Sequence, residues 1–141
     1  MTILSVSLDV ISPNLTLREL DSIIGMSHAP SSHDLGTPSP LAKAPPRKET
    51  IWRLDSVAGE LQSLYEHVLS LSMSCPFDVL FHKLANHSQC VRCILSIAIC
   101  YSTYTCTITL STDTLTLLKG FAIDVEISCY PGERNELGDH D

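Results

Sequence analysis

The feature that most restricts the fold is a run of alternating apolar and polar residues that begins at residue 91 and ends at residue 130. Its first and last arms each place an apolar residue at every second position, which predicts two β-strands that bury one face. These residues are Val91, Cys93, Leu95, Ile97, Ile99 and Tyr101 in the first arm, and Phe121, Ile123, Val125, Ile127 and Cys129 in the last. Since a sheet buries its apolar face against a second layer, the chain must supply that layer as well.

The segment between these arms predicts a hairpin partner followed by a short helix. Alternation continues from residue 104 to residue 110, which predicts a strand that returns along the first arm. Its two faces are Tyr104, Cys106, Ile108 and Leu110 against Thr105, Thr107 and Thr109. Ser111 is then suited to cap a helix that Gly120 ends. The apolar stripe of that helix consists of Leu115, Leu117 and Leu118.

The N-terminal part predicts a strand and a capped helix. The strand has the inward residues Leu4, Val6, Leu8 and Val10 and the outward residues Ser5, Ser7 and Asp9. Thr16 and Glu19 have the spacing of a capping box, and Gly25 is the expected helix stop. The buried stripe of this helix is formed by Leu17, Leu20, Ile23 and Ile24.

The middle of the chain predicts a long loop, a strand and a broken helix. Residues 26–49 have no periodicity and are rich in proline, which predicts an extended loop. The strand covers Thr50–Asp55, with Trp52 as a core anchor. Apolar spacing predicts a helix over residues 57–71, and a second helix that starts at Pro76. The second helix uses Phe77, Leu80, Phe81 and Leu84 for its buried side.

These elements predict an α+β two-layer sandwich, with a mixed or antiparallel sheet of about five strands and helices on one face. Such an arrangement is related to ferredoxin-like folds. We expect a single domain over residues 1–131, which includes the loop at 26–49. Residues 132–141 are predicted to be an acidic, flexible tail.

The composition argues against several classes of function. The formal net charge of −7 disfavours nucleic-acid binding, because that binding depends on Lys and Arg. No apolar run approaches the roughly 20 residues that span a bilayer. The N-terminal apolar run has no preceding basic residue and is interrupted by Asp9, unlike a signal peptide. The sequence therefore predicts a cytoplasmic protein with reduced cysteines and with no membrane or nucleic-acid partner.

The motifs of common enzymes and metal sites are not found in the sequence. The one familiar cysteine spacing, Cys90 to Cys93, enters a predicted strand, where residues three apart point to opposite faces and do not converge on one zinc ion. His82 and His87 precede it without the usual intervening loop. The chain also has no Gly-x-Ser-x-Gly elbow and no glycine-rich phosphate loop. We therefore predict no catalytic residue, no metal and no cofactor.

The sheet face opposite the predicted helices is the candidate interaction surface. Its outward residues mix hydroxyl, acidic and small apolar groups, which suits a protein partner. The residues expected to bind a partner are Ile51, Arg53, Asp55, Ile94, Thr105, Thr107, Asp124 and Glu126. Asp124 and Glu126 would supply negative charge for a basic partner, while Ile51 and Ile94 would supply an apolar centre.

Several short motifs between residues 5 and 131 carry a resemblance to a known family. They are Ile23-Ile24-Gly25 followed by Pro30, Gly36 in the loop, the strand Ile51-Trp52-Arg53-Leu54, and an Asp-x-Glu pattern that runs from Asp124 to Tyr130. In these motifs the chain resembles the small bacterial proteins grouped as domain of unknown function 4279. The resemblance implies the same α+β fold and a bacterial cytoplasmic protein. It implies no catalytic residue.

That family is similar in size to immunity proteins that neutralise bacterial toxins. We therefore expect a non-catalytic protein-binding module, an immunity-type inhibitor that binds a basic, toxin-like protein. The chain is expected to be a monomer or a homodimer. The alternative is a small-molecule-sensing or regulatory α+β domain, which an apolar pocket with a few convergent polar groups would favour.

Overall fold

The computed structural model describes residues 2–38, 44–60, 62–87, 91–101 and 107–132. The described strands are β1 (Thr2–Ser12), β2 (Thr50–Asp55), β3 (Arg92–Tyr101) and β4 (Ile123–Pro131). The α-helices are α1 (Leu17–Ile24), α2 (Leu64–Ser74), α3 (Phe77–Leu84) and α4 (Thr112–Leu118), and a 3₁₀ turn at Ala85–His87 follows α3. Of the predicted parts, the tail at 133–141 lies outside the described residues.

The sheet is mixed, with the strand order β2-β1-β3-β4 in the described residues. The central strand β1 pairs antiparallel with both β2 and β3, whereas β3 and β4 are parallel. A parallel pair needs a crossover connection, and the segment that contains α4 provides it. An isolated bridge between His33 and Ile51 adds a further pairing outside β2.

The predicted hairpin is wrong where the structure describes it. Residues 107–110 form no strand, and residues 102–106, which include Tyr104 and Cys106, lie outside the described residues. The physical reason is that β3 has no free edge for a hairpin partner. Its residues from 93 to 100 pair with β1 on one side and with β4 on the other. The alternation at residues 104–110 therefore predicted a strand that cannot pair with β3, because both edges of β3 are already paired.

One apolar core joins the sheet to the helices, and it confirms the α+β sandwich. From the strands it takes Val6, Leu8, Val10, Trp52, Cys93, Leu95, Ile97 and Ile99, all buried. From the helices it takes Leu17, Leu20, Ile24, Leu64, Val68, Leu71, Phe77, Leu80 and Leu84. The helical residues pack in the same cluster as the inward strand residues, so the helices cover one face of the sheet. No helical residue of the described core cluster packs against the other face, which is called the helix-free face below.

A β-bulge shifts the start of β1 by one position. The register with β3 changes between Ile3 and Ser5, and Ile3 is buried in the core although the alternation did not assign it inward. A bulge leaves one residue unpaired and thereby changes which side chains point inward. The alternation predicted Leu4 at this place in the core, but the structure does not describe the Leu4 side chain.

Helix α1 begins and ends as its sequence predicts. The Thr16 side chain accepts a hydrogen bond from the Glu19 backbone N–H, and the Glu19 side chain accepts one from the Thr16 backbone N–H. Gly25 has a φ of 82°, which is the left-handed conformation that glycine adopts without strain. The capping box is therefore confirmed. The loop also contributes, because Asp34 accepts a hydrogen bond of 2.6 Å from the Leu17 N–H.

Helix α2 starts later than predicted, at Leu64 after an N-cap at Ser63. Local hydrogen bonds hold the preceding residues in a different conformation. Ser56 Oγ accepts from the Ala58 N–H at 3.1 Å, and the Val57 N–H donates to Ser70 Oγ at 3.1 Å. Val57, the first residue of the predicted helix, is consequently 85% exposed. Of the predicted buried stripe, Leu64, Val68 and Leu71 are buried and Tyr65 is half-buried, while Leu61 lies outside the described residues.

Five of the described residues predicted to face inward are exposed, and three of them lie in β4. Val125, Ile127 and Cys129 are exposed, although the residues across from them in β3, Leu95, Ile97 and Ile99, are buried. Glu126 is exposed too, so the register is not slipped; the described helices do not cover these three residues, whereas Ile123 at the start of β4 packs against the core. The other two exposed residues are Leu110, after β3, and Leu115 in α4.

The loop over residues 26–38 follows the outer edge of β2. The Ala29 N–H donates to the Arg53 carbonyl at 2.8 Å, and His33 and Ile51 exchange two backbone hydrogen bonds. His28 Nδ1 lies 3.0 Å from Asp21, which ties the start of the loop to α1.

None of the helices within the described ranges is long and apolar enough to cross a bilayer.

Candidate functional site on the helix-free face

A buried ion pair occupies the centre of the helix-free face. Asp9 of β1 and Arg53 of β2 are neighbours in the sheet register, and two parallel hydrogen bonds of 2.9 Å join their side chains. Asp9 is 3% exposed, so a carboxylate that the alternation assigned to the outward face is removed from solvent. The hydrogen bonds to the Asp9 carboxylate raise the pKa of Arg53, and burial of the guanidinium lowers it. The net effect is a raised pKa.

Two serines complete the coordination of the Asp9 carboxylate. Ser7 Oγ donates to Oδ1 at 2.8 Å, and Ser96 Oγ of β3 donates to Oδ2 at 2.9 Å. Each carboxylate oxygen thus accepts one hydroxyl and one guanidinium hydrogen bond. Because a buried charge is tolerated only when it is paired and hydrogen-bonded, this network fixes side chains from three strands in one arrangement.

A cavity of about 470 Å³ opens above this network. Ser7, Ser96 and Arg53 belong to its lining, together with residues of the segment between β2 and α2. The full lining is Ser5, Val6, Ser7, Ser31, Arg53, Asp55, Ser56, Ala58, Glu60, His67, Ser96, Ile97, Ala98, Glu126 and Ser128. The volume lies within the range of about 300–1,000 Å³ that is common for ligand pockets.

His67 of α2 borders this cavity and is 3% exposed. Its Nδ1 is 2.9 Å from Ser56 Oγ, whereas its Nε2 has no hydrogen-bond partner among the described residues. Burial lowers the pKa of His67, and the neighbouring Gly59 carbonyl and Glu66 carboxylate oppose that effect. A Ser–His pair can serve nucleophilic catalysis when a third group orients the imidazole. Here Nε2 lacks such a group within the described part of the chain.

The rim of the cavity is acidic. Asp55, Glu60 and Glu126 line it and are exposed. Of the lining residues Arg53 is the basic one, and its guanidinium is already paired with Asp9. The site therefore presents uncompensated negative charge to an incoming group, and this charge would attract a cation.

A second cavity, of about 400 Å³, lies where β3 and β4 begin. It is more apolar, because the stacked rings of Phe81 and Phe121, with centroids 5.1 Å apart, form part of its wall. Arg92 and Asp124 are the charged residues of its lining. Arg92 also lies 3.5 Å from Glu49. This cavity is separate from the Asp9 network.

The structure brings four of the predicted partner-binding residues onto β2 and β3 as expected, but in different environments. Arg53 is locked to Asp9, and Asp55 is exposed at the end of β2. Ile51 is half-buried. Ile94 is 6% exposed and cannot supply an accessible apolar centre in this conformation.

The other four predicted residues are divided between the sheet and the chain outside it. Asp124 and Glu126 are both exposed on the helix-free side of β4, where Glu126 borders the larger cavity and Asp124 the smaller one. Thr107 is exposed but lies in the irregular segment 107–110. Thr105 lies outside the described residues.

Sequence reasoning missed the importance of Ser7, Asp9, Ser96 and His67. A charged residue in the middle of a strand whose neighbours are otherwise apolar or small, as Asp9 is, could have indicated a buried pair. Its partner is 44 positions away, and no local pattern connects the two. His67 was hidden because the apolar stripe assigned to its helix did not include it.

Within the described ranges, no group of three or more His, Cys, Asp and Glu side chains could hold a metal ion. Cys93 is buried, and burial raises the pKa of its thiol to about 12. Its predicted companion Cys90 lies outside the described residues. The arrangement places acceptor oxygens and negatively charged side chains around a cavity.

Comparison with known proteins found no match: no protein-family model, no curated protein and no solved structure is similar to this chain.

Proposed function

We propose that this protein is a non-catalytic binding module whose helix-free face recognises a basic protein. The observation that carries the proposal is the acidic rim of the 470 Å³ cavity, formed by Asp55, Glu60 and Glu126. The neighbouring cation, Arg53, is neutralised by Asp9 and adds no attraction for an acidic partner. A concave acidic surface suits a basic partner, because complementary charge accelerates encounter and excludes partners of like charge.

The partner that fits best is a basic toxin-like protein, with this chain as its immunity-type inhibitor in the bacterial cytoplasm. Inhibition by occlusion needs shape and charge complementarity and no catalytic group. The resemblance of motifs such as Ile51-Trp52-Arg53-Leu54 to a family of immunity-protein size supports this role. Asp124 extends the acidic surface along β4 beyond the cavity, so that the steering charge covers a larger area than the pocket alone.

The test is co-expression with the product of the neighbouring gene, followed by co-purification at low and high salt. We expect a complex that forms at low salt and weakens as the salt concentration rises, since exposed charges are screened. If the neighbour is toxic to the host, co-expression should restore growth. A neighbour that neither binds nor is neutralised would contradict the proposal.

A second candidate function, small-molecule sensing, is favoured by the size of the same cavity. Its mixed polar and apolar lining could hold a ligand of small-molecule size. The two functions differ in one observable. A sensor should gain thermal stability from a small compound by mass action, whereas a binding module should gain it from the partner protein.

A further inference from the structure

We propose that the outer edge of β4 pairs with β4 of a second copy of this chain, antiparallel and centred on Ile127. The inference does not depend on the proposed function, because it uses the edge of the sheet and not its helix-free face. β4 is last in the strand order, and no described strand pairs with its outer side. An edge of this kind presents N–H and C=O groups that another strand can bind, and proteins often protect it with lysine or proline. Residues 123–130 contain neither.

A hydrogen bond at the end of β4 fixes which backbone groups face outward. The Gly132 N–H donates to the Tyr101 carbonyl of β3 at 2.7 Å. The register between β3 and β4 is continuous from residue 123 to residue 131. Because the backbone groups of successive residues point to opposite sides of a strand, the even-numbered residues of β4 bond to β3. The central residues whose N–H and C=O groups point to the free edge are therefore Val125, Ile127 and Cys129.

The same three residues form the exposed apolar row of β4. Val125 and Ile127 are each 39% exposed, and Cys129 is exposed as well. Their register partners in β3 are buried in the core, so the row continues the apolar side of the sheet beyond the part that the described helices cover. Each outward pair of backbone groups thus belongs to a residue with an exposed apolar side chain. A second strand with this pattern would pair the backbone groups and cover the side chains together.

The charges of β4 select the register of such a pair. An antiparallel alignment centred on Ile127 places Glu126 opposite Ser128 of the second copy. It places Asp124 opposite Tyr130. Moving the centre by one residue toward the N-terminus would bring the two Glu126 carboxylates opposite each other. Moving it by two would bring Asp124 opposite Glu126. Since like charges directly opposite destabilise a strand pair, both shifts are disfavoured.

The length of β4 selects the same register. Ile127 is the midpoint of the strand Ile123–Pro131, so this alignment overlaps the two strands along their whole length. Val125 then lies opposite Cys129, and Ile127 lies opposite its own copy, each pair with both backbone hydrogen bonds. Pro131 lacks an N–H, and in this alignment its missing donor falls at the end of the ladder. A shift toward the C-terminus would place Pro131 opposite Val125 and remove a bond from the interior.

The resulting dimer leaves the helix-free face accessible. The twofold axis of an antiparallel strand pair is perpendicular to the sheet, so both helical layers lie on the same side. The two apolar rows meet on that side, between the helical layers. On the opposite side the two helix-free faces join, with Asp124 and Glu126 of both copies exposed on it.

The first test is sedimentation velocity of the full chain under reducing conditions, from micromolar to near-millimolar concentration. We expect a reversible monomer–dimer equilibrium, because one strand and one apolar row per copy make a contact at the small end of specific interfaces. Ile127→Lys should shift it to monomer, since two ammonium groups would lie opposite each other at the axis. Val57→Lys adds the same charge at an 85% exposed position after β2, at the other end of the strand order, and should leave the equilibrium unchanged. A monomer at every concentration, or an equal loss of dimer in both variants, would overturn the proposal.

Cross-linking tests the register with a variant that introduces no charge. In Val125→Cys the introduced thiol lies opposite Cys129 of the second copy, at a Cα separation of about 5.5 Å that a disulfide can span. Within one chain the two positions are about 13 Å apart along the strand, so they cannot form a bridge. Oxidation with diamide should therefore give a covalent dimer on a non-reducing gel. The control, Val125→Cys with Cys129→Ser, should not form it. Equal cross-linking in both variants, or none in Val125→Cys, would contradict the pairing centred on Ile127.

Discussion

The two outer strands of the described sheet, β2 and β4, have similar alternating sequences and very different environments. The outer edge of β2 is paired, because His33 and Ile51 exchange backbone hydrogen bonds of 3.1 Å and 2.8 Å. Its central residue Trp52 is fully buried. β4 has no further strand beside it in the described residues, and its central residues Val125 and Ile127 are each 39% exposed.

The comparison teaches that alternation specifies the direction of a side chain but not whether anything covers it. Trp52 and Val125 both point to the helical side of the sheet. Helix α1 packs beside β2 and covers Trp52, and Asp21 of α1 accepts a 2.9 Å hydrogen bond from its indole N–H. Among the contacts of α4 those with α2 are the most extensive, and the described helices leave Val125 and Ile127 of β4 exposed. The predictions below test this difference.

The largest effect is expected at the closed edge. Trp52→Ala should cost about 3–5 kcal/mol in the free energy of unfolding, because it removes a fully buried aromatic side chain and leaves a cavity. Urea denaturation followed by circular dichroism measures it. A cost below about 1 kcal/mol would show that β2 is no better covered than β4.

The ion pair on the helix-free face of β2 should give the next largest effect. Asp9→Asn should cost about 3 kcal/mol, the low end for a broken buried pair, because the Arg53 side chain is 26% exposed and can partly reach water. Asp124→Asn on β4 is the matched control and should change stability little. The combined variant Asp9→Leu with Arg53→Met should be more stable than Asp9→Asn alone, since it leaves no unpaired charge. Equal costs for Asp9→Asn and Asp124→Asn would contradict the burial of Asp9.

A smaller effect, dependent on pH, should come from His67 at the end of β2. Burial lowers its pKa below the ordinary 6.5, so the unfolded chain binds a proton more readily than the folded one. Its contribution to stability is therefore present above pH 6.5 and is lost as the pH falls below that value. Thermal unfolding at about pH 7.5 and about pH 5.5 should show a smaller difference for His67→Gln than for the wild type.

His82→Gln, at an exposed position of α3, is the control for that measurement and should keep the pH dependence of the wild type. Some dependence should remain in His67→Gln, because burial and Arg47 lower the pKa of His33 as well. An unchanged difference between the two pH values in His67→Gln would show that His67 is protonated equally in both states.

The smallest effect is expected at the open edge. Val125→Ala should change the unfolding free energy by only about 0.5 kcal/mol, as is usual for an exposed site. Leu95→Ala, its register partner in β3, is the matched comparison and should cost about 2–5 kcal/mol because Leu95 is fully buried. Similar costs for the two variants would mean that a layer covers β4 after all.

Features that depend on neighbouring residues were predictable from the sequence. The capping box at Thr16, the helix stop at Gly25 and the strand that carries Trp52 all follow from local chemistry, and the structure confirms them. The late start of α2 was missed because Ser56 and Ser63 form side-chain hydrogen bonds that compete with a longer helix.

Features that depend on distant residues were not predictable. The hairpin after β3 failed because β1 and β4, from opposite ends of the chain, occupy both edges of β3. The candidate site shows the same limit. Its acidic residues Asp55 and Glu126 were found from the sequence, whereas the hydrogen-bond network of Asp9 and the burial of His67 depend on contacts that only the fold creates.

The most direct test of the account is the rate of association with the proposed basic partner, the neighbouring gene product, at several salt concentrations, measured for two double variants. Asp124→Lys with Glu126→Lys reverses charge on the helix-free face, and Asp78→Lys with Asp113→Lys reverses the same charge on the helical layer. The account predicts that the first pair slows association and flattens its salt dependence, while the second pair has a much smaller effect. Equal slowing by both pairs, or none by the first, would contradict the claim that the helix-free face is the binding surface.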